Sequence, residues 1–248
     1  MERKTKVFYI VLGDGRLASQ LCEYFKSQQQ EFVQWSRKKS TCSLAELYES
    51  CPAATCLLAL SDLAIAPVAQ TLSALGFHDL VHFSGLAQIE GVKAFHPLMT
   101  FTSQVKSSDG FEEITFVGPQ SREIFEKTFP QFKNRYFEIK ESERALYHAN
   151  CVLSGNFANL LWRSTLNDFK KMGLPAESLK TYVLAVVEAF FSNPEFSLTG
   201  PLVRGDWPTI EKNLAALQND YRSQIYLEFL KEFAPKSSTR QGVLSEQT

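Results

Sequence analysis

The hydrophobic pattern at the start of the chain predicts a strand, a glycine turn and a helix. Residues Val7 to Leu12 form a continuous apolar run of the kind found in buried strands. The run breaks at the turn Gly13-Asp14-Gly15-Arg16-Leu17-Ala18. Apolar residues then recur with helical spacing at Leu17, Leu21, Tyr24 and Phe25. We therefore expect a β-strand that leads directly into an α-helix.

The alternation of strands and helices continues through the first half of the chain. Ser43 predicts the N-terminus of a helix over residues 44–50, and Gly76 predicts the end of a helix over residues 63–75. The further predicted strands cover residues 32–35, 55–60, 80–83, the neighbourhood of 95, 114–117 and 136–139. This alternation predicts an α/β fold with a mostly parallel, Rossmann-like sheet that helices cover on both faces.

The second half of the chain is predicted to be helical throughout. Between residues 141 and 172 apolar side chains recur at helical spacing without a proline, which indicates one long helix of about thirty residues. Three more helices are expected, over about 177–191, 206–219 and 221–233. The sequence thus predicts a Rossmann-like domain over 1–140, a helical substrate or dimerisation domain over 141–236 and a flexible tail over 237–248.

Composition excludes several classes of protein. The chain has 248 residues, 44% hydrophobic residues and a formal net charge of −1, so neither nucleic acid nor a membrane surface is an expected partner. No signal peptide or transmembrane segment is predicted. The five cysteines lack C-x-x-C spacing, which favours reduced thiols in a cytoplasmic protein over disulfides or a zinc site. We expect no metal site.

The turn after the first strand has the G-x-G-x-x-A spacing of dinucleotide-binding proteins. Gly13 permits the tight turn, Gly15 lets the backbone approach a pyrophosphate, and Ala18 keeps the helix close to the strand. Free N–H groups and the helix dipole then face the phosphates. The predicted pyrophosphate site is formed by Gly13, Asp14, Gly15, Arg16, Leu17 and Ala18.

The end of the second predicted strand favours NADP over NAD. An NAD site usually has an acidic residue here, whereas this chain has Ser36, Arg37, Lys38 and Lys39. A hydroxyl and cations suit a 2′-phosphate, which Arg37 can bind in a bidentate way. The alternative interpretation is a solvated basic turn. We expect Ser36, Arg37 and Lys38 to bind the 2′-phosphate of NADP.

Several longer motifs resemble a known family. They are Phe83-Ser84-Gly85-Leu86, Phe95-His96-Pro97-Leu98-Met99-Thr100-Phe101, Tyr147-His148-Ala149 with Asn156, and Thr199-Gly200-Pro201-Leu202-Val203-Arg204-Gly205-Asp206. With the glycine turn, they resemble an uncharacterised bacterial family of Rossmann-like proteins whose helical C-terminus is a domain of unknown function. That family is distantly related to 6-phosphogluconate dehydrogenase, ketopantoate reductase and pyrroline-5-carboxylate reductase.

The resemblance implies an oxidoreductase-like protein that binds NADP at the carboxyl ends of its strands. The nicotinamide is then expected to face the helical domain, with Ser84 beside it. At the same edge, Leu60 and Ser61 complete the expected cofactor site. In such relatives a lysine and an asparagine, one turn apart on the long helix, carry the polar chemistry. Here the lysine pattern is broken, so a lysine general acid is not expected.

The candidate catalytic residues are two histidines with three polar neighbours. His96 and His148 suit proton transfer because histidine titrates near neutrality. Ser84, Asn156 and Arg204 are expected to position the substrate, Arg204 through an anionic group. Four of the five have a structural alternative: His96 as a backbone cap, His148 as a buried residue that bonds the neighbouring domain, Ser84 as part of a turn, and Arg204 as the ion-pair partner of Asp206.

The function predicted from the sequence is NADP-dependent oxidation or reduction of a small polar carbonyl, hydroxy or imine substrate. The alternative is an NADP-binding sensor or assembly module without catalytic activity, which the broken lysine pattern favours. A homodimer through the helical domain is compatible with both.

Overall fold

The computed structural model describes residues 7–234, and the tail predicted over 237–248 lies outside this range. The chain forms two compact units divided between Leu161 and Trp162. The sequence-based boundary at residue 140 marks instead where strands give way to helices, and it stays a prediction.

The first unit is built on a five-stranded parallel sheet, in the order β2-β1-β3-β4-β5. Tyr9 pairs with Phe32 on one side and with Thr55 on the other, which makes β1 a central strand. The strands are β1 (Tyr9–Leu12), β2 (Phe32–Trp35), β3 (Thr55–Leu58), β4 (Leu80–His82) and β5 (Val92–Ala94). The predicted mostly parallel sheet is thus confirmed.

Helices cover both faces of this sheet because neighbouring strand residues point in opposite directions. Tyr9 and Val11 belong to one hydrophobic core, and Ile10 and Leu12 belong to the other. The first core includes buried residues of α1 (Arg16–Ser27), α4 (Ser108–Glu112) and α5 (Arg122–Thr128), and the second those of α2 (Leu44–Ser50) and α3 (Asp62–Leu75). Both faces therefore stabilise the strands whose ends carry the site.

A small second sheet continues from the first within this unit. It consists of β6 (His96–Pro97), β7 (Phe116–Gly118) and β8 (Tyr136–Glu138), with β7 antiparallel to β6 and parallel to β8. Phe95 joins the two sheets, and its N–H still donates to the His82 carbonyl at 3.0 Å. The strand predicted over 114–117 begins later because Ile114 closes the turn after α4, a helix that the sequence did not predict.

The long helix predicted after residue 140 is confirmed, with one irregularity. Helical backbone runs from a 3₁₀ turn at Glu141–Glu143 through α6 (Arg144–Cys151) to α7 (Ala158–Lys171). The segment Val152–Phe157 between them is a π-helix. Such segments are frequent at functional sites and alter which side chains share a helix face.

The second unit is entirely helical among its described residues. It contains the end of α7, then α8 (Ala176–Ser192), α9 (Pro201–Arg204), α10 (Trp207–Ala216) and α11 (Arg222–Phe233). A small core joins Trp207 and Ile210 to Leu227 and Leu230. Asp206 accepts from the Thr209 N–H at 3.3 Å, which confirms its interpretation as a helix cap. Within residues 7–234 no helix is long and apolar enough to cross a membrane.

Candidate cofactor and substrate site

The glycine turn lies where the strand order reverses between β1 and β3. Gly13 has φ +130°, and a Cβ at this position would collide with the Ala59 carbonyl oxygen after β3. Its N–H donates to the Trp35 carbonyl at 2.8 Å, which ties the turn to β2. Gly13 therefore brings the ends of three strands together, and in open parallel sheets ligands bind at this reversal.

The N-terminus of α1 is open. Gly15 is its N-cap, no side chain caps the helix, and a Cβ on Gly15 would meet no atom within 4 Å. Ala18 is completely buried, as expected for a residue that holds the helix against the strand. Free N–H groups in the first helical turn are the usual binding site for a phosphate.

The polar residues of this turn already have partners. Asp14 pairs with Lys39 at 3.7 Å, and the Arg16 guanidinium donates to the Phe101 carbonyl at 3.0 Å. Leu17 is half-buried and packs on the first core. Neither charged side chain closes the space over Gly15, so the backbone N–H groups at the start of α1 stay open to a ligand.

The turn after β2 exposes two cations. Arg37 and Lys38 are exposed, and neither forms a hydrogen bond or ion pair with any residue of 7–234. Ser36 is buried, and its Oγ has no hydrogen-bond partner. An unpaired hydroxyl beside free cations is the donor set that a phosphate ester satisfies.

The end of β3 contributes Leu60 and Ser61. Leu60 is half-buried, and Ser61 is the exposed N-cap of α3, without a side-chain capping bond. Asp62 is the first residue of this helix. Leu63 follows with 93% of its surface exposed, so this helix start presents both polar and apolar groups.

Ser84 is held in place from several directions at the end of β4. Its N–H donates to His82 Nδ1 at 3.2 Å, and its carbonyl accepts from Arg144 Nη2 at 3.1 Å. The Ser84 hydroxyl oxygen accepts from the N–H groups of Leu86 and Ala87 at 3.2 and 3.0 Å. Ser84 is therefore part of a turn, which was the structural alternative expected from the sequence. Its hydroxyl proton is still available to a ligand.

Both candidate histidines contact the next residue, Gly85. A Cβ on Gly85 would lie 2.6 Å from His148 Cδ2 and 3.2 Å from His96 Cδ2. The two imidazole rings are 6.2 Å apart between centroids. Only a glycine fits here without displacing them, and the structure thus brings His96, His148 and the Ser84 loop together.

His96 is bonded to a side chain and not to the backbone. Its Nδ1 lies 2.8 Å from the Tyr147 hydroxyl of α6, which replaces the expected alternative of a backbone cap. Burial, and then the nearby charges of His148 and Arg144, lower the pKa of His96 to about 4. The imidazole is consequently neutral at physiological pH.

The remaining predicted site residues are Asn156 and Arg204, and both are exposed. Asn156 lies in the π segment, exposed and without a hydrogen bond to the described residues. That segment alters which side chains share a helix face with Asn156. Arg204 ends α9 in the second unit, where it is exposed. The ion pair expected between Arg204 and Asp206 does not form among residues 7–234.

Sequence reasoning gave no role to Tyr147, Arg144 or His82. Arg144 is buried and paired with Glu141 at 2.7 Å, although a cation near a helix start usually indicates an exposed residue. His82 is completely buried with its Nε2 unpartnered, and with Arg144 it lines a cavity of about 370 Å³. The one sequence signal for Tyr147 is its place in the motif Tyr147-His148-Ala149.

The parallel sheet with its glycine turn and a helical C-terminal region defines a Rossmann-like fold. Residues 113–232 match the family model described as "Domain of unknown function (DUF2520)". This confirms the family resemblance drawn from the motifs. A search of the curated proteins found no match.

Solved structures of other proteins share this Rossmann-like fold. A candidate NADP oxidoreductase of Bacteroides fragilis is 22% identical, with a TM-score of 0.75 over 92% of this chain and 98% of that one. The pyrroline carboxylate reductase of Plasmodium falciparum, solved with NADP bound, is 15% identical, with a TM-score of 0.57 over 92% and 100%.

A third structure with this fold belongs to an enzyme described as preferring NADH. The ketol-acid reductoisomerase of an uncultured archaeon is described as NADH-preferring; it is 13% identical, with a TM-score of 0.52 over 92% of this chain and 86% of that one. The same fold thus occurs with either nicotinamide cofactor. The preference for NADP or NAD therefore depends on the side chains after β2 and not on the fold.

Proposed function

We propose that this protein is an NADP-dependent oxidoreductase for a small polar substrate with a carbonyl, hydroxy or imine group. The observation that carries the proposal is the open N-terminus of α1 beside the unpaired cations Arg37 and Lys38. Backbone N–H groups suit a pyrophosphate, and a second cationic site suits a further phosphate. The structural relatives described above support the same class.

The residues of the first unit divide into two groups under this proposal. The turn from Gly13 to Ala18 holds the pyrophosphate, and Ser36, Arg37 and Lys38 hold the 2′-phosphate. Leu60 and Ser61 line the site on the other side of β1, at the end of β3. NADP, when bound, accepts or supplies the hydride. His96 and His148, held beside the Ser84–Gly85 loop, bind the reacting group through hydrogen bonds, with Ser84 positioning it.

The cofactor assignment is tested by isothermal titration with NADPH and NADH. We expect tighter binding of NADPH, and Arg37→Ala should weaken NADPH binding about tenfold or more because a charge-assisted contact is worth roughly 1.5–3 kcal/mol. NADH affinity should change little. Arg122→Ala is the matched control, since Arg122 is an exposed arginine whose ion-pair partner within residues 7–234 is Glu126.

Two results would contradict the cofactor assignment. One is a preference of the wild-type protein for NADH. The other is equal loss of NADPH and NADH affinity in the Arg37→Ala variant, which would mean that Arg37 does not distinguish the 2′-phosphate. Unaltered NADPH binding by that variant would have the same meaning.

A second candidate function is an NADP-binding sensor or assembly module that catalyses no reaction. Arg144, a cation at the start of the long helix, is committed to Glu141 and to the Ser84 carbonyl and cannot replace the missing lysine acid. A screen of keto acids, hydroxy acids and imines with NADPH or NADP distinguishes the two. Specific turnover of any of these substrates excludes the sensor function.

A cytoplasmic location of the protein stays a prediction.

A further inference from the structure

The Tyr147 hydroxyl has a histidine as its hydrogen-bond partner. It lies 2.8 Å from His96 Nδ1. Burial and the neighbouring Cys151 both raise the pKa of Tyr147, so the phenol keeps its proton. The phenol can donate this proton to the imidazole.

The chemistry of the partners decides the direction of the proton. An unprotonated imidazole nitrogen is a strong acceptor, and a phenol that keeps its proton is a donor. The favoured arrangement has the Tyr147 hydroxyl donating to His96 Nδ1.

This arrangement fixes the tautomer of His96. A neutral imidazole whose Nδ1 accepts a hydrogen bond carries its proton on Nε2. The adjacent ring atom, Cδ2, faces Gly85, so this edge of the ring borders the Ser84–Gly85 loop. Nε2 forms no hydrogen bond with any residue of 7–234, and it is free to donate to a ligand.

We propose that Tyr147 is a positioning residue that holds His96 as a neutral Nε2–H donor, and that the group bound there is a carbonyl oxygen. This rests on the proposed function and narrows its substrate class to ketones, aldehydes or keto acids. Imines are excluded because they accept hydride as the protonated iminium ion. That ion is cationic, offers no acceptor to Nε2–H, and would lie near the Arg144 cation, whose charge acts on His96.

The corresponding reaction balances with the groups named. The carbonyl carbon gains a hydride from the reduced nicotinamide, and the electron pair of the C=O π bond moves to oxygen. A proton from water completes the alcohol. His96 donates a hydrogen bond to the oxygen as its negative charge develops, in the manner of an oxyanion hole, and keeps its own proton.

The tautomer is measured directly by ¹⁵N–¹H correlation spectra of the imidazole rings near neutral pH. The chain has four histidines, so single substitutions assign every ring. We expect His96 to show an unprotonated Nδ1 and a protonated Nε2. The exposed His78 is the internal control and should show both neutral tautomers. A protonated Nδ1 on His96 would overturn the proposal.

Tyr147→Phe tests the role of the hydroxyl. We expect His96 to populate both neutral tautomers in this variant, while Tyr182→Phe, at an exposed tyrosine of α8, leaves it unchanged. An unchanged His96 spectrum in Tyr147→Phe would show that Tyr147 does not set the tautomer. If this variant does not fold, the wild-type spectrum decides alone.

Turnover gives a separate test of the substrate class. With NADPH we expect reduction of ketones or keto acids in preference to cyclic imines, and about a tenfold loss of kcat in Tyr147→Phe without a matching change in KM. Preference for imines would overturn the proposal. Its failure is distinguishable from failure of the proposed function, because the spectra need no cofactor and NADPH binding is measured without a substrate.

Discussion

At the scale of single residues, His82 links the stability of the first unit to pH. Its Nδ1 accepts from the Ser84 N–H, so the neutral ring carries its proton on Nε2, which is buried without a partner. Burial, and then the charge of Arg144, lower its pKa to about 4, while Asp62 and Glu141 oppose this shift. The folded protein therefore binds this proton less readily than the unfolded chain.

The free energy of unfolding should fall as the pH decreases from about 6.5 to about 4. In this window the unfolded chain is protonated at His82 and the folded protein is not, so acid favours unfolding. For His82 the loss is roughly 3 kcal/mol, an order-of-magnitude figure from its shift. Urea denaturation at a series of pH values measures it.

The matched variants for this prediction are His82→Asn and His78→Asn. Asparagine keeps an acceptor for the Ser84 N–H but does not titrate, so His82→Asn should have a shallower pH dependence even if it is less stable throughout. His78 is exposed, and its replacement should leave the slope unchanged. Equal slopes for wild type and His82→Asn would show that His82 is not responsible.

At the scale of elements, the unit formed by β1, its turn and α1 separates folding from ligand binding. Gly13→Ala should destabilise the fold, because φ is +130° and the new Cβ meets the Ala59 carbonyl. Gly15→Ala adds a methyl group in open space, with φ at −79°, so its cost to stability should be below about 1 kcal/mol.

Cofactor binding should respond to Gly15→Ala although stability does not. The added methyl group occupies the space through which a pyrophosphate approaches the N–H groups of α1, so NADPH affinity should fall about tenfold or more. Thermal unfolding and calorimetric titration measure the two effects separately. A Gly15→Ala protein that binds NADPH like the wild type would place the phosphates elsewhere.

The long helix shows how far an element can be predicted from its sequence. Helical spacing of apolar residues over 141–172 predicted continuous helix, and the backbone is helical from Glu141 to Lys171. The π segment at Val152–Phe157 was not predicted, because an inserted residue changes the phase of a helix without altering its local composition.

At the scale of the whole molecule, α8 has an unusual surface for a chain acting alone. Among its 17 residues only Leu179 is buried, although apolar side chains occur on several sides of the helix. The exposed ones are Tyr182, Leu184, Val186, Val187, Phe190 and Phe191. A helix that is apolar all round is normally buried. We propose that a second copy of the chain covers it.

Light scattering during gel filtration tests this dimer. We expect a particle of about twice the chain mass of 28.1 kDa. Phe191→Glu, which places a charge at a side chain exposed by 78%, should shift it toward the monomer. Lys180→Ala is the control, since Lys180 forms only an exposed pair with Glu177. A monomer at every protein concentration would contradict the proposal.

The sequence by itself determined the features that depend on neighbours along the chain. Apolar runs gave the strands, helical spacing gave the helices, and Ser43 and Gly76 gave helix ends, because each reflects a local hydrogen-bond or steric requirement. The glycine turn was also evident from the sequence, because the tight connection between β1 and α1 requires glycines at fixed spacing.

The tertiary structure alone decided which side chains form the site. Gly85 is a glycine because His96 and His148, from distant parts of the chain, occupy the space a Cβ would need. Tyr147, Arg144 and His82 acquire their partners in the same way, and the low pKa of His96 follows from burial that no local pattern encodes. Hydrogen bonding and desolvation depend on proximity in space, which the order of residues does not specify.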